Sequence, residues 1–165
     1  MIYRSLGVLV SQSGFTLAFA EFQENAGVWT FELKTAITCT AGSVTELIHS
    51  FIEKNELQFK VALITLHTET PGTIISGASV AAATGLPVIT HLAALDVELG
   101  GNGEFYSYCS QKLNLPNNSL TETEKATCVA FMGILRWREE YNFLSSITGA
   151  RRSSIGGAVW TGQEA

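Results

Sequence analysis

An α/β fold built on a mixed sheet is predicted for this chain, and three observations predict it. Three apolar, largely alternating runs open the sequence, separated only by short turns. Two short apolar runs then follow, divided by helical patterns, and one long helical pattern closes the chain. Strands joined by short turns pair antiparallel, whereas strands alternating with helices imply right-handed crossovers and parallel pairing.

Arg4 to Val10 reads as the first strand, with Leu6, Val8 and Val10 on one face. Phe15 to Phe22 is apolar on both faces, as a central strand should be. Glu24 to Gly27 is a turn, and Val28 to Cys39 alternates with Trp29, Phe31, Leu33, Ile37 and Cys39 on one side. Ser43 and Glu46 have capping-box spacing ahead of a helical stripe of Val44, Leu47, Ile48, Phe51 and Ile52. Val61 to Leu66 is a buried strand, Ser79 to Thr84 a short helix stopped by Gly85, and Leu86 to Thr90 another buried strand. Lys112 to Leu120 has the composition of a linker. Thr121 and Glu124 then form a second capping box, and a helix runs from Glu122 to about Ile147, ending at Thr148-Gly149. It would be roughly 39 Å long, enough to cross the domain. Its first half is apolar nearly all round, so burial on more than one side is expected. A short apolar piece in the tail could add an edge strand. The order is βββαβαβ, a ribonuclease H-like mixed sheet with a long C-terminal helix packed on it.

The 165 residues suit one domain, 1–165, with a sheet-and-helix core at 1–111, the linker at 112–120 and the returning helix and tail at 121–165. The composition is 46% hydrophobic and only 15% charged, against a usual charged fraction of about 25%. So little charge leaves apolar area uncovered, which implies a partner surface, most simply a homodimer or another protein. The net charge of −5 argues against nucleic acid, which needs a basic face. Arg151-Arg152 forms the only basic cluster. No run reaches the length of a membrane span, and the first apolar stretch is too short for a signal peptide. Cys39, Cys109 and Cys128 are scattered, which fits reduced thiols in the cytoplasm and neither a disulfide frame nor a metal site.

Nucleases and kinases of this fold place an acid on or just after the first strand, for a metal or for phosphates and magnesium. Met1 to Ala20 contains none. The turn Ser11 to Thr16 keeps hydroxyls and a glycine, which suffice for a plain hairpin turn. His49 reads as a boundary residue. His67 and His91 fall at the C-terminal ends of strands expected to be adjacent and parallel, about 4.8 Å apart. They are either polar residues that end strands or, with Asp96, a ligand site or a metal site. Gly100-Gly101-Asn102-Gly103 lacks P-loop spacing and a following lysine, and reads as a turn needing unusual backbone geometry.

The segment Gly77 to Gly103, "GASVAAATGLPVITHLAALDVELGGNG", resembles the anhydro-N-acetylmuramic acid kinases. So does Ala130 to Gly157, "AFMGILRWREEYNFLSSITGARRSSIGG", and the N-terminal "LGVLVSQSGFTLAFAEF" looks like a worn copy of that family's first strand-turn-strand. The resemblance implies a one-lobe relative whose second lobe is missing at the linker. It implies no catalytic residue, since Ser13, Gly14 and Thr16 stand as a phosphate-turn remnant without acids. His91 and Ala93 stand where the family has a carboxylate and an arginine. His67, His91, Asp96, Gly100, Gly101, Asn102 and Gly103 are the ligand-binding candidates that it leaves. The implied function is that of an inactive homologue of a sugar kinase of peptidoglycan recycling, acting through self-association or protein binding. The alternative is a module for an anhydro sugar or nucleotide, or a residual kinase. No cofactor is expected, with ATP and magnesium entering only if kinase activity survives.

Overall fold

The computed structural model describes residues 2–70, 75–116, 119–146 and 158–160. Three long strands come first, β1 (Ile2–Ser11), β2 (Gly14–Asn25) and β3 (Val28–Cys39). They are followed by α1 (Val44–Lys54), β4 (Leu63–Thr68), α2 (Gly77–Thr84) and β5 (Val88–Thr90). Three helices, α3 (Leu92–Glu98), α4 (Phe105–Leu113) and α5 (Glu122–Ser146), then precede β6 (Ala158–Trp160). The sheet order is β3-β2-β1-β4-β5-β6. β1 pairs antiparallel with β2 and parallel with β4, β4 is parallel to β5, and β6 runs antiparallel to β5. This is the expected ribonuclease H-like α/β sheet, with the tail adding a sixth strand.

Alternation along β1 and β2 explains why the sheet is covered on both faces. Leu6, Val8, Leu17 and Phe19 point toward Ile48 and Phe51 of α1 and Val80 and Ala81 of α2. Leu9, Ala18, Ala20 and Phe22 point the other way, into the layer formed by α3, α4 and α5. Residues 126–135 of α5 are almost all buried, as their all-round apolarity predicts. The helix lies close because its contact surface is small: a Cβ on Gly7 would strike the Ala126 carbonyl oxygen and reach 2.9 Å from the Ala130 nitrogen. A Cβ on Gly133 would run into the Thr65 side chain.

Two local expectations need correction. β3 does not keep one apolar side: the pairing with β2 shifts between Phe19 and Ala20, leaving Lys34 as an extra residue. Trp29 and Phe31 therefore pack toward α5, while Ile37 and Cys39 pair with Leu17 and Phe15 and turn to the α1 side. A bulge of this kind breaks a period-two pattern. At α1, Ser43 caps by position only and its hydroxyl makes no cap bond. The box at α5 does form, with Thr121 N–H to Glu124 Oε1 at 2.9 Å and Glu124 N–H to Thr121 Oγ1 at 3.1 Å. The helix stop at Thr148-Gly149 and the Arg151-Arg152 cluster lie outside the described residues.

Candidate functional site

In open α/β sheets, ligands bind beyond the C-terminal ends of the strands. Here that edge carries Ser11 at the end of β1, His67 on β4 and Glu69 just past it. The Glu69 amide donates to the Val10 carbonyl at 2.7 Å, so the chain beyond β4 still runs beside β1. The formed capping box fixes the start of α5 over the same place and brings in Glu122 and Lys125. α4 contributes Tyr106 from above.

These groups make one connected network. The Ser11 hydroxyl donates to Glu122 Oε2 at 3.0 Å and sits 2.9 Å from the Ser13 hydroxyl. The Tyr106 hydroxyl donates to Glu69 Oε2 at 2.7 Å. The Lys125 ammonium lies between the carboxylates, 3.7 Å from Glu69 Oε1 and 3.8 Å from Glu122 Oε1, and 5.8 Å from the Tyr106 ring centre. Burial, and then the neighbouring Glu69 carboxylate, push the Tyr106 phenol far above its ordinary range. It therefore stays a hydrogen-bond donor at neutral pH.

His67 is wedged edge-on against Phe105, with ring centres 4.7 Å apart, and against Tyr106 at 6.2 Å. Burial lowers its pKa below 6.5, and Glu69 offsets this only in part. The unfolded chain then takes up the proton first as the pH falls. Stability is complete above about 6.5 and is lost progressively down to the lowered folded value. Thermal unfolding should show a lower Tm at about pH 5.5 than at about pH 7.5, and His67→Gln should reduce that difference. An unchanged pH dependence in His67→Gln would mean that the ring titrates freely.

The other sequence candidates fall elsewhere. His91 is exposed, takes a left-handed conformation (φ 62°) ahead of α3, and its Nδ1 lies 2.7 Å from the Thr90 hydroxyl. Its register with β4 places it level with His67, yet His67 is covered by α4. Asp96 is buried: its Oδ2 accepts from the Gly103 amide at 3.0 Å, and its Oδ1 has no protein partner. Gly101 is required here because a Cβ would come 2.6 Å from the Asp96 carboxyl carbon. The Asn102 side chain accepts from the Glu104 amide at 3.0 Å, and Glu104 caps α4. Gly100 and Gly103 both have positive φ. The loop thus sets the start of α4, which lays Phe105 and Tyr106 over His67. Gly14 also has positive φ, and Thr16 is buried with its hydroxyl 3.3 Å from that of Thr38. Of the expected residues, Ser13 belongs to the network and His67 packs beside it against Tyr106. Ser11, Glu69, Tyr106, Glu122 and Lys125 were missed. The legible signal was the polar pair Glu122 and Lys125, one turn apart, at the start of a helix that must return to β1.

The fold's nucleases hold a metal, and the residues do not suit one. Among the described residues no group of three or more His, Cys, Asp or Glu could hold a metal ion. Both carboxylates of the network already have an ammonium on one oxygen and a hydroxyl on the other. Among the described residues, no helix is long and apolar enough to cross a membrane.

No family model and no curated protein matches the chain. Solved structures do. RuvC of Thermus thermophilus is 13% identical over 85% of this chain and 97% of that chain, with a TM-score of 0.53. RuvC of the same organism in complex with Holliday junction substrate is 10% identical over 83% and 96%, with a TM-score of 0.48. The likeness at this identity is one of fold. It corrects the kinase reading: these neighbours are RuvC. With that reading go the inactive sugar-kinase function, its sugar- or nucleotide-binding alternative and the role in peptidoglycan recycling. The motifs behind the resemblance are mostly glycine and apolar positions, which fix backbone shape and not chemistry. The exclusion of nucleic acid, which rested on net charge alone, is corrected too. Net charge describes a whole chain, whereas binding uses one face.

Proposed function

We propose that this domain binds DNA at the C-terminal ends of β1 and β4, and does so without metal-dependent cleavage. The observation that carries the reading is the convergence of Ser11, Ser13, Glu69, Glu122 and Lys125 at the ligand-binding edge of a ribonuclease H-like sheet. The fold supports it as well, since the chain spans nearly all of a RuvC chain.

The chemistry available is recognition. The Ser13 hydroxyl, exposed with Gln12 at the turn, offers a donor to a phosphodiester oxygen, while the Ser11 hydrogen is given to Glu122 and the Ser11 oxygen positions Ser13. Tyr106 and Glu122 orient the groups around them. Lys125 contributes a cation that is shared with two carboxylates, so few phosphates are neutralised. The slope of log K against log salt should then be shallow, about −1 to −2.

The test is fluorescence anisotropy with a labelled four-way junction, a duplex and a single strand, at low salt, with EDTA or with magnesium. Binding is expected to survive EDTA, and the DNA should remain intact with magnesium. Ser11→Ala with Ser13→Ala should weaken binding by about 5-fold or more, the order expected for losing one or two net hydrogen bonds. No anisotropy change with any of the three would end the DNA reading, and magnesium-dependent cutting would end the non-cleaving part of it.

A further inference from the structure

We infer that the Lys125 ammonium is a built-in counter-ion holding the place of a divalent cation between Glu69 and Glu122, so that a neutral residue at 125 turns this place into a cation site. The inference concerns the protein without nucleic acid and is independent of DNA binding.

Three features point to it. The two carboxylates come from separate parts of the chain, the segment just past β4 and the start of α5, and each is aimed by a hydroxyl on its outer oxygen, Tyr106 for Glu69 and Ser11 for Glu122. Their remaining oxygens face one position, which the ammonium occupies at 3.7 and 3.8 Å. Such distances are loose for a charge-assisted hydrogen bond, which is usually about 2.7–2.9 Å. Lys125 therefore acts here as a centred charge more than as a directed donor. Finally, the backbone on both sides is pinned, by the Glu69 amide to Val10 and by the Thr121–Glu124 box.

Without the ammonium, two half-buried carboxylates would confront each other with no neutralising charge. Magnesium or manganese binds carboxylate oxygens at about 2.0–2.1 Å and keeps several waters. Two carboxylates, the Ser11 hydroxyl and water give oxygen ligands of the kind such an ion takes. Each carboxylate needs to move only roughly 1–2 Å to reach it, a side-chain adjustment on a fixed backbone. Lys125 thus holds the place between the two carboxylates as a metal-independent ion pair.

The experiment is titration with manganese, followed by electron paramagnetic resonance, of the wild type, Lys125→Met and Lys125→Met with Glu69→Gln. Lys125→Met is expected to gain one site at least tenfold tighter than anything in the wild type. Its Tm should rise on adding manganese, while that of the wild type should not. The added Glu69→Gln should abolish both effects. If Lys125→Met does not fold, Lys125→Gln is read in the same way. Wild-type binding as tight as the variant's, or no gain in a folded variant, would overturn the inference. So would a gain that survives Glu69→Gln.

Discussion

Gly7→Val is expected to leave the chain unable to reach its native state. The new side chain would enter a contact where β1 and α5 touch almost backbone to backbone. A Cβ at this position meets the Ala126 carbonyl oxygen, and lies 2.9 Å from the Ala130 nitrogen and 3.1 Å from its Cβ. Neither side can yield easily. β1 is held by β2 on one edge and β4 on the other, and the obstructing atoms on α5 are main chain. Overpacking typically costs about 1–3 kcal/mol where side chains can shift. Here about 4 kcal/mol or more is expected, a large part of the 5–15 kcal/mol that usually separates native from unfolded. Near-ultraviolet circular dichroism and urea unfolding would show it as lost tertiary signal. A soluble Gly7→Val with an unchanged urea midpoint would disprove the close approach.

Phe131→Ala should fold but lose about 3–5 kcal/mol. Phe131 is fully buried and stands edge-on to Trp29 at 5.0 Å, with Phe22 at 5.5 Å. Trp29 is also held by the Arg138 guanidinium, which lies 5.1 Å from the centre of its ring and is itself bonded to Glu24 at 2.7 Å. The site cannot collapse around a lost ring, so the cavity persists. The urea midpoint should fall with an unchanged m-value, and Phe131→Leu should recover part of the loss. A loss below about 1 kcal/mol would mean that the aromatic cluster rearranges freely.

Much of the sheet could be read from β1 and β2, because their alternation is unbroken and both faces are covered. β3 misled because an extra residue at Lys34 reverses which positions face the core, and nothing in an apolar pattern marks a bulge. α3 and α4 were not anticipated. The glycine run between them reads as a turn of unusual backbone geometry, which it is, but the pattern does not show that Asp96 and Glu104 use it to start α4. α5 was legible throughout its described core, since a 126–135 stretch apolar on all sides has few places to go but into a protein interior.

The network at the strand ends was harder to see. His67 and His91 stood out as histidines at the ends of two strands expected to be adjacent, with Asp96 nearby. Their side chains nevertheless end in three different environments: an aromatic wedge, solvent and a buried loop. Glu69, Glu122 and Lys125 looked like ordinary surface charges, and only the return of α5 to β1 gathers them. Such convergence depends on tertiary topology, which local spacing does not encode.

The packing of the last long helix on the first strand also has a consequence in time. Leu6 to Val10 are synthesised before the rest of the sheet, but the helix that seals one of their faces follows more than a hundred residues later. At roughly 5–20 residues per second, that is a wait on the order of 5–25 seconds. Throughout it the nascent meander has one sheet face bare, with Phe22 and Trp29 open to any passing hydrophobic surface. Expression of this protein should therefore be governed less by its final stability than by whatever shields that face until Ala126 to Leu135 emerge.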